Sequence, residues 1–161
     1  MTIKVGDKVP SAKFQVVNEG GGGESVAADA FCAGKKVVLF ALPGAYTPTC
    51  SKQHLPGFVA RAAELAGKGV DVVACLSVND SFVMAAWGAD QGAFGKVAMI
   101  ADGNGEFTKA VGLEVDLTAF GLGVRSQRYA MIVEDGVLKA LDVDAGGKFE
   151  VSSCEAVLKK L

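Results

Sequence analysis

The stretch Leu42-Pro43-Gly44-Ala45-Tyr46-Thr47-Pro48-Thr49-Cys50 carries a thiol, able to attack a small electrophile, and, three residues earlier, a hydroxyl able to orient one. It lies where an apolar run ends and an amphipathic one begins, which predicts the end of a strand and the start of a helix. In open α/β sheets such an end hosts sites. A thiol in the first turn of a helix faces unpaired N–H groups and the positive end of the helix dipole, and both favour thiolate. Cys50 is therefore the candidate nucleophile. His54 follows four residues later, on the same face of a regular helix, and that spacing by itself permits a Cys-His pair of the kind hydrolases use. No oxyanion hole accompanies it in the sequence, so His54 reads as a structural or interface group. The remaining thiols, Cys32, Cys75 and Cys154, are too few and too far apart for a disulfide scaffold. With one histidine and no close cysteine pair, no zinc site of the usual kinds can be assembled, and no metal is expected.

The elements that must position Cys50 can be read from apolar patterning. Lys36 to Leu42 and Val70 to Val78 are near-continuous apolar runs rich in β-branched residues, as expected of strands buried on both faces. Between them, Gln53 to Leu65 places Leu55, Phe58, Val59, Ala62 and Leu65 on one helical face, with Gly67 and Gly69 to end it. That is a βαβ unit. A second helix is predicted after Asn79 or Asp80, including Phe82, Val83, Ala86 and Trp87, and stopping at Gly92. Val97 to Ala101 follows as a strand. Arg128 to Glu134 and Val137 to Val143 flank Asp135-Gly136, the dipeptide of two-residue type I′ hairpins. Ser152-Ser153-Cys154-Glu155 fits a capping box for a short last helix, with Val151 set to staple against Ala156. Gly20 to Gly23 has no Gly-Lys-Ser/Thr signature and reads as a hairpin tip, not a phosphate cradle. The sum is an α/β sheet of mixed direction covered by helices on both faces.

Composition narrows the function classes. The chain has 161 residues, enough for one domain with a real core, and its 50% hydrophobic and 21% charged content excludes disordered, collagenous and coiled-coil readings. A net charge of -2 gives no overall basic footprint for nucleic acid. The mean hydropathy of +0.34 is high, yet no stretch approaches 18 apolar residues without a charge or a Gly/Pro break, so no membrane span is expected. Met1 to Val5 lacks the basic and apolar regions of a secretory signal, which places the chain in the cytoplasm, or in an organelle matrix if a transit peptide has been removed.

Pro43, Thr47 and Cys50 together form Pro-x-x-x-Thr-x-x-Cys, which resembles the active-site signature of the peroxiredoxins. The run from Pro43 through Phe58 is similar to the type II subfamily, also called peroxiredoxin five, in its plant- and bacterial-like branch. Val73 through Asp80 and Arg125-Ser126-Gln127-Arg128-Tyr129-Ala130-Met131 match that subfamily as well. The resemblance covers nearly the whole chain. It implies a thioredoxin fold, a mixed central sheet flanked by helices, here with an N-terminal hairpin extension. It also implies a cofactor-free, thiol-dependent peroxidase acting on hydrogen peroxide and organic hydroperoxides. By that resemblance Cys50 is the peroxidatic cysteine, Thr47 orients the peroxide, Pro43 shields the site and Arg128 is the guanidinium beside the sulfur. A homodimer is implied too, with Phe82, Trp87 and Phe94 as candidates for its surface, although aromatic residues at such spacing are usually core. Arg125 either supports the site or faces solvent.

Magnitudes say what such a site needs beyond ionisation. At pH 7 a thiol of pKa about 8.5 is about 3% ionised, and lowering it to about 6 raises the thiolate fraction about 30-fold. The same drop costs roughly tenfold in intrinsic nucleophilicity at a Brønsted slope of about 0.45. The remaining acceleration must come from donors fixed near both oxygens, which stabilise charge as the O–O bond lengthens, the task assigned to Thr47 and Arg128. The sulfenic acid formed on Cys50 then condenses with a thiol. The resemblance offers Cys75 as the resolving residue, with Cys154 only roughly matching a later alternative. Direct reduction by an external thiol, glutaredoxin with glutathione or thioredoxin, is the other route. A Cys50–Cys75 bridge needs Cα atoms within about 7 Å and local unfolding, which Pro56-Gly57 would ease. The alternative to sustained turnover is a peroxide-sensing redox switch or chaperone.

Overall fold

The computed structural model describes residues 1–161. Its centre is a seven-stranded sheet built from β1 (Lys13–Val17), β2 (Gly23–Ala27), β3 (Lys36–Ala41), β4 (Val72–Ser77), β5 (Ala98–Ala101), β8 (Arg128–Glu134) and β9 (Val137–Asp144). Their spatial order is β2-β1-β5-β4-β3-β8-β9. β3, β4 and β5 run parallel; β1 and β8 pair antiparallel to them at the two sides, and β2 and β9 pair antiparallel to β1 and β8 in turn. The expected mixed sheet is present, and the β1–β2 hairpin is its N-terminal extension, with the Gly20 to Gly23 run at its tip. A small ribbon, β6 (Glu114–Asp116) with β7 (Val124–Ser126), stands apart.

The alternation of side chains along each strand sorts the core into two layers. Val38, Phe40, Val73, Cys75, Ala130 and Ile132 face one way, and α2 (Leu55–Ala60), α3 (Ala62–Gly67), α4 (Ser81–Asp90) and α6 (Cys154–Leu158) cover them with Leu55, Phe58, Leu65, Met84, Trp87 and Val157. Val37, Leu39, Ala41, Ala74, Leu76, Tyr129, Met131 and Val133 face the other way, beneath α1 (Ala28–Cys32) and α5 (Glu106–Ala110). Both faces of β3 and β4 are thus buried, which is why their sequences show no polar alternation. The same parity rule puts Arg128, Cys75 and Asp144 on the face that carries Cys50.

Local chemistry accounts for most boundaries. Asp80 caps α4 by accepting the Val83 N–H at 2.8 Å. Asp135 and Gly136 both take positive φ, 48° and 78°, as a type I′ turn between β8 and β9 requires. Three expectations need correction. The helix predicted over Gln53 to Leu65 is broken at Arg61, where φ −114° and ψ 19° separate α2 from α3. It is also preceded by a π-helical turn, Cys50–His54, closed by the Leu55 N–H on the Cys50 carbonyl. Pro56 has no N–H for the Lys52 carbonyl, so the regular ladder cannot run through this point. The capping residue of α6 is Ser153, which accepts the Ala156 N–H at 3.1 Å, and not Ser152, whose own N–H and hydroxyl are claimed by Asp144. The short elements α1, α5, β6 and β7 carry no periodicity long enough to be read in advance.

Candidate active site

Cys50 sits just past the C-terminal end of β3. The chain leaves the strand at Leu42, turns through Tyr46, which takes a left-handed φ of 65°, and enters helix at Pro48. Pro48 suits a first helical position because the N–H it lacks would have no partner there. The Thr47 hydroxyl donates to the Gly44 carbonyl at 2.7 Å. Its proton is thereby committed, and its lone pairs remain to accept a hydrogen bond from an incoming O–H. The expectation that Thr47 supplies a donor is revised accordingly: here it offers an acceptor.

Gly44 leaves no room for a side chain. A Cβ there would lie 2.7 Å from Arg125 Nη1 and 3.2 Å from Thr47 Cγ2. Arg125 is half-buried, not splayed into solvent. It donates through Nη1 to the Pro43 carbonyl at 3.1 Å and through Nε to the Leu122 carbonyl at 2.9 Å. β7, paired to β6, delivers this guanidinium, which pins Pro43 and hence the loop that carries Thr47.

The Cys50 sulfur has no exposed surface, yet it is not among aliphatic groups alone. Arg128, at the start of β8, donates from Nη2 to Sγ at 3.2 Å. The other arm, Nη1, lies 2.9 Å from His54 Nδ1, and the guanidinium stands 5.9 Å over the Phe149 ring. None of the chain's ion pairs involves Arg128. A nearly buried cation that makes no ion pair with a carboxylate is best stabilised by an anionic sulfur, and by any negative charge that develops next to that sulfur.

His54 is fully buried between Phe40, at 4.9 Å centroid separation, and Phe149, at 5.0 Å. Burial, reinforced by the Arg128 charge, pushes its pKa down to about 3, so the ring is neutral. Its Nε2 meets the Ser152 carbonyl at 2.9 Å. Both nitrogens are occupied, and neither faces Cys50 as a base. The Cys-His hydrolase alternative therefore has no geometric basis.

A guanidinium thus stands on a buried thiol three residues beyond Thr47, and comparison with known proteins places the arrangement. The redoxin family model matches residues 4–158. A chloroplastic peroxiredoxin-2E of Arabidopsis thaliana is 51% identical, over 99% of this chain and 70% of its own length. Peroxiredoxin-2B of the same plant is 47% identical over 99% and 98% of the two chains. The chain belongs to the type II peroxiredoxins. Among solved peroxiredoxin structures, reduced Prx3 from Vibrio vulnificus in complex with hydrogen peroxide superposes with a TM-score of 0.92 at 49% identity, covering 99% of this chain and 100% of that one. Peroxiredoxin 5 from Alvinella pompejana gives 0.84 at 32%, with 98% and 96% covered. Peroxiredoxins are thiol-dependent peroxidases, and so is this chain.

The other thiols of this peroxiredoxin are buried. Cys75 lies in mid-sheet, paired with Phe40 of β3 and Met99 of β5. Burial raises its pKa well above the ordinary thiol value, Cys50 raises it further, and Arg128 only partly offsets them. Burial likewise lifts Cys32 and Cys154 to about 11. Trp87, a candidate for a subunit surface, is instead core: it is fully buried, and its indole N–H donates to Ser51 Oγ at 3.0 Å. Phe94 is half-buried against Gly88, while Phe82 is exposed. No helix is long and apolar enough to cross a membrane. Sequence reasoning took His54 for a structural or interface group and did not single out Phe149, Ser152 or Asp144 as site residues. Only the β8–β9 register, which sets Asp144 opposite Arg128, brings that segment to the site.

Proposed function

We propose that Cys50 is the peroxidatic cysteine, with Arg128, Thr47 and Pro43 as its working partners. The observation that carries this reading is the 3.2 Å hydrogen bond from the Arg128 guanidinium to the Cys50 sulfur, made by a cation that has no carboxylate partner. The ionised sulfur attacks the terminal oxygen of a hydroperoxide, the S–O bond forms as the O–O bond breaks, and Cys50 is oxidised to the sulfenic acid. The departing alkoxide or hydroxide takes a proton from solvent and leaves as alcohol or water. Arg128 offsets the charge that builds on the oxygens, Thr47 accepts the peroxide O–H, and Pro43 screens the sulfur from water. Hydrogen peroxide is the substrate favoured first, in line with the peroxide-bound Vibrio vulnificus relative.

Recycling begins when a thiol attacks the sulfenic acid, releasing water and forming a mixed or internal disulfide, and a second thiol then returns Cys50 to its reduced form. The mid-sheet position and raised pKa of Cys75 favour direct reduction by an external thiol, glutaredoxin with glutathione or thioredoxin, over an internal bridge. Cys75 becomes competent as a resolving residue only after local opening. Exposed Phe82, Phe120 and Val124 support a homodimer. The chloroplastic relatives support an organelle matrix, with the cytoplasm as the other reducing compartment.

The test is steady-state consumption of hydrogen peroxide with each reductant offered separately to wild type, Cys75→Ser and Cys154→Ser. Many equivalents consumed per chain, with both variants at wild-type rates, is the expected result. Loss of turnover in Cys75→Ser would move the resolving step to Cys75. Consumption of a single equivalent would mark a sensor.

A further inference from the structure

Of the groups packed around Cys50, the imidazole of His54 is the one for which the reaction as proposed has no use. Its surroundings nevertheless define it closely. Nε2 meets a backbone carbonyl, Ser152, which can only accept, so that nitrogen carries the hydrogen. Nδ1 meets a guanidinium, which can only donate, so that nitrogen is the bare acceptor. The two contacts select one neutral tautomer, and the low pKa keeps the ring in it. The carbonyl is itself anchored. Asp144, opposite Arg128 in the β8–β9 register, accepts the N–H groups of Glu150, Val151 and Ser152 at 2.9, 3.0 and 3.1 Å and the Ser152 hydroxyl at 2.5 Å. Burial of that carboxyl works to raise its pKa, but these hydrogen bonds outweigh it and the pKa is lowered. Phe149, in the same returning segment, covers both His54 and Arg128.

Arg128 is a long side chain with two arms to place. One arm on the sulfur does not fix the plane of the guanidinium; a second contact on the other arm does. We propose that His54 is a positioning residue for peroxide reduction: fixed by the Ser152 carbonyl on the Asp144-anchored segment, it aims the Arg128 guanidinium at the Cys50 sulfur. The proposal rests on the reading of Arg128 given above. It makes the stretch following β9, 145–153, part of the catalytic scaffold although none of its side chains reaches the sulfur.

The test is a double-mutant cycle on the reaction of the reduced protein with hydrogen peroxide, using wild type, His54→Leu, Arg128→Met and the double variant. His54→Leu is expected to slow wild type on the order of 10- to 100-fold, the scale of a misplaced catalytic group. In the Arg128→Met background it is expected to change the rate by less than about twofold. His54→Asn, whose amide oxygen can stand near the position of Nδ1, should recover most of the loss. Equal costs in both backgrounds would overturn the proposal and leave the role of Arg128 intact. An unimpaired Arg128→Met would overturn the reading of Arg128 and this proposal with it. A second measurement needs no variant. His54 is the only histidine, so nitrogen-15 NMR of the untagged reduced protein reads its state directly. A protonated Nε2 and bare Nδ1 at pH 7 are expected, and the opposite tautomer or an imidazolium would overturn the proposal.

Discussion

Arg128→Met should slow the reaction of Cys50 with hydrogen peroxide by about 100- to 1000-fold per ionised thiol, the range seen when one fixed donor to a developing oxyanion is removed. Cys50→Ser should abolish the reaction. Methionine approximates the length of the arginine stem, so the apolar packing of β8 on the Cys50 face is retained while the charge and both donors are lost. The sulfur then loses the hydrogen bond at 3.2 Å, and His54 Nδ1 loses its donor. Trp87 provides the readout in mixing experiments because its indole is bonded to Ser51, the residue after Cys50, and it is the only tryptophan in the chain. The rate must be divided by the fraction of ionised sulfur, measured separately by ultraviolet absorbance. If that division accounted for the whole loss, Arg128 would serve only to ionise the sulfur, and its part in O–O cleavage would be wrong.

The second large effect is on stability. A histidine of ordinary pKa 6.5 in the unfolded chain and about 3 in the folded one binds more protons when unfolded throughout the window between those values. Stability from this group is therefore fully present above about pH 6.5 and is lost as the pH falls toward 3. Integrated from pH 7 to pH 4, His54 alone removes about 3 kcal/mol. Of the charged groups nearby, Arg128 opposes protonation of the ring and Asp144 favours it weakly. Asp144 contributes acid sensitivity of the same sign but lower in pH, because its lowered pKa matters only as carboxylates begin to protonate. Urea unfolding at pH 7, 5 and 4, followed by Trp87 fluorescence, should show wild type weakening steeply and His54→Asn weakening by about 3 kcal/mol less. Parallel losses in the two proteins would mean that the buried ring is not held neutral by the fold.

The parts of this molecule that could be read from residues alone are those governed by local rules. Asp80 caps its helix, Asp135-Gly136 turns its hairpin, and the unbroken apolarity of β3 and β4 reports burial on both faces. Cys50, Thr47 and Pro43 lie within one short stretch from loop to helix and are legible as a motif. Arg128 could be tied to Cys50 only through family resemblance, since 78 positions separate them and only the β3–β8 register brings them together. The π turn was hidden because it depends on how a helix accommodates Pro56 after a tightly held first turn. The shift of the last cap from Ser152 to Ser153 was hidden because a distant carboxylate, Asp144, competes for Ser152. Arg125 could not be assigned between site and solvent because its partners are backbone carbonyls, which leave no mark in the side-chain sequence.

On the proposed mechanism one sulfur, that of Cys50, is the atom oxidised. Reduced protein treated with less than one equivalent of hydrogen peroxide, trapped with a sulfenic-acid-specific dione and mapped by peptide mass spectrometry, tests it most directly. The adduct should fall on Cys50 alone. An adduct on Cys32, Cys75 or Cys154 with Cys50 unmodified would contradict the account.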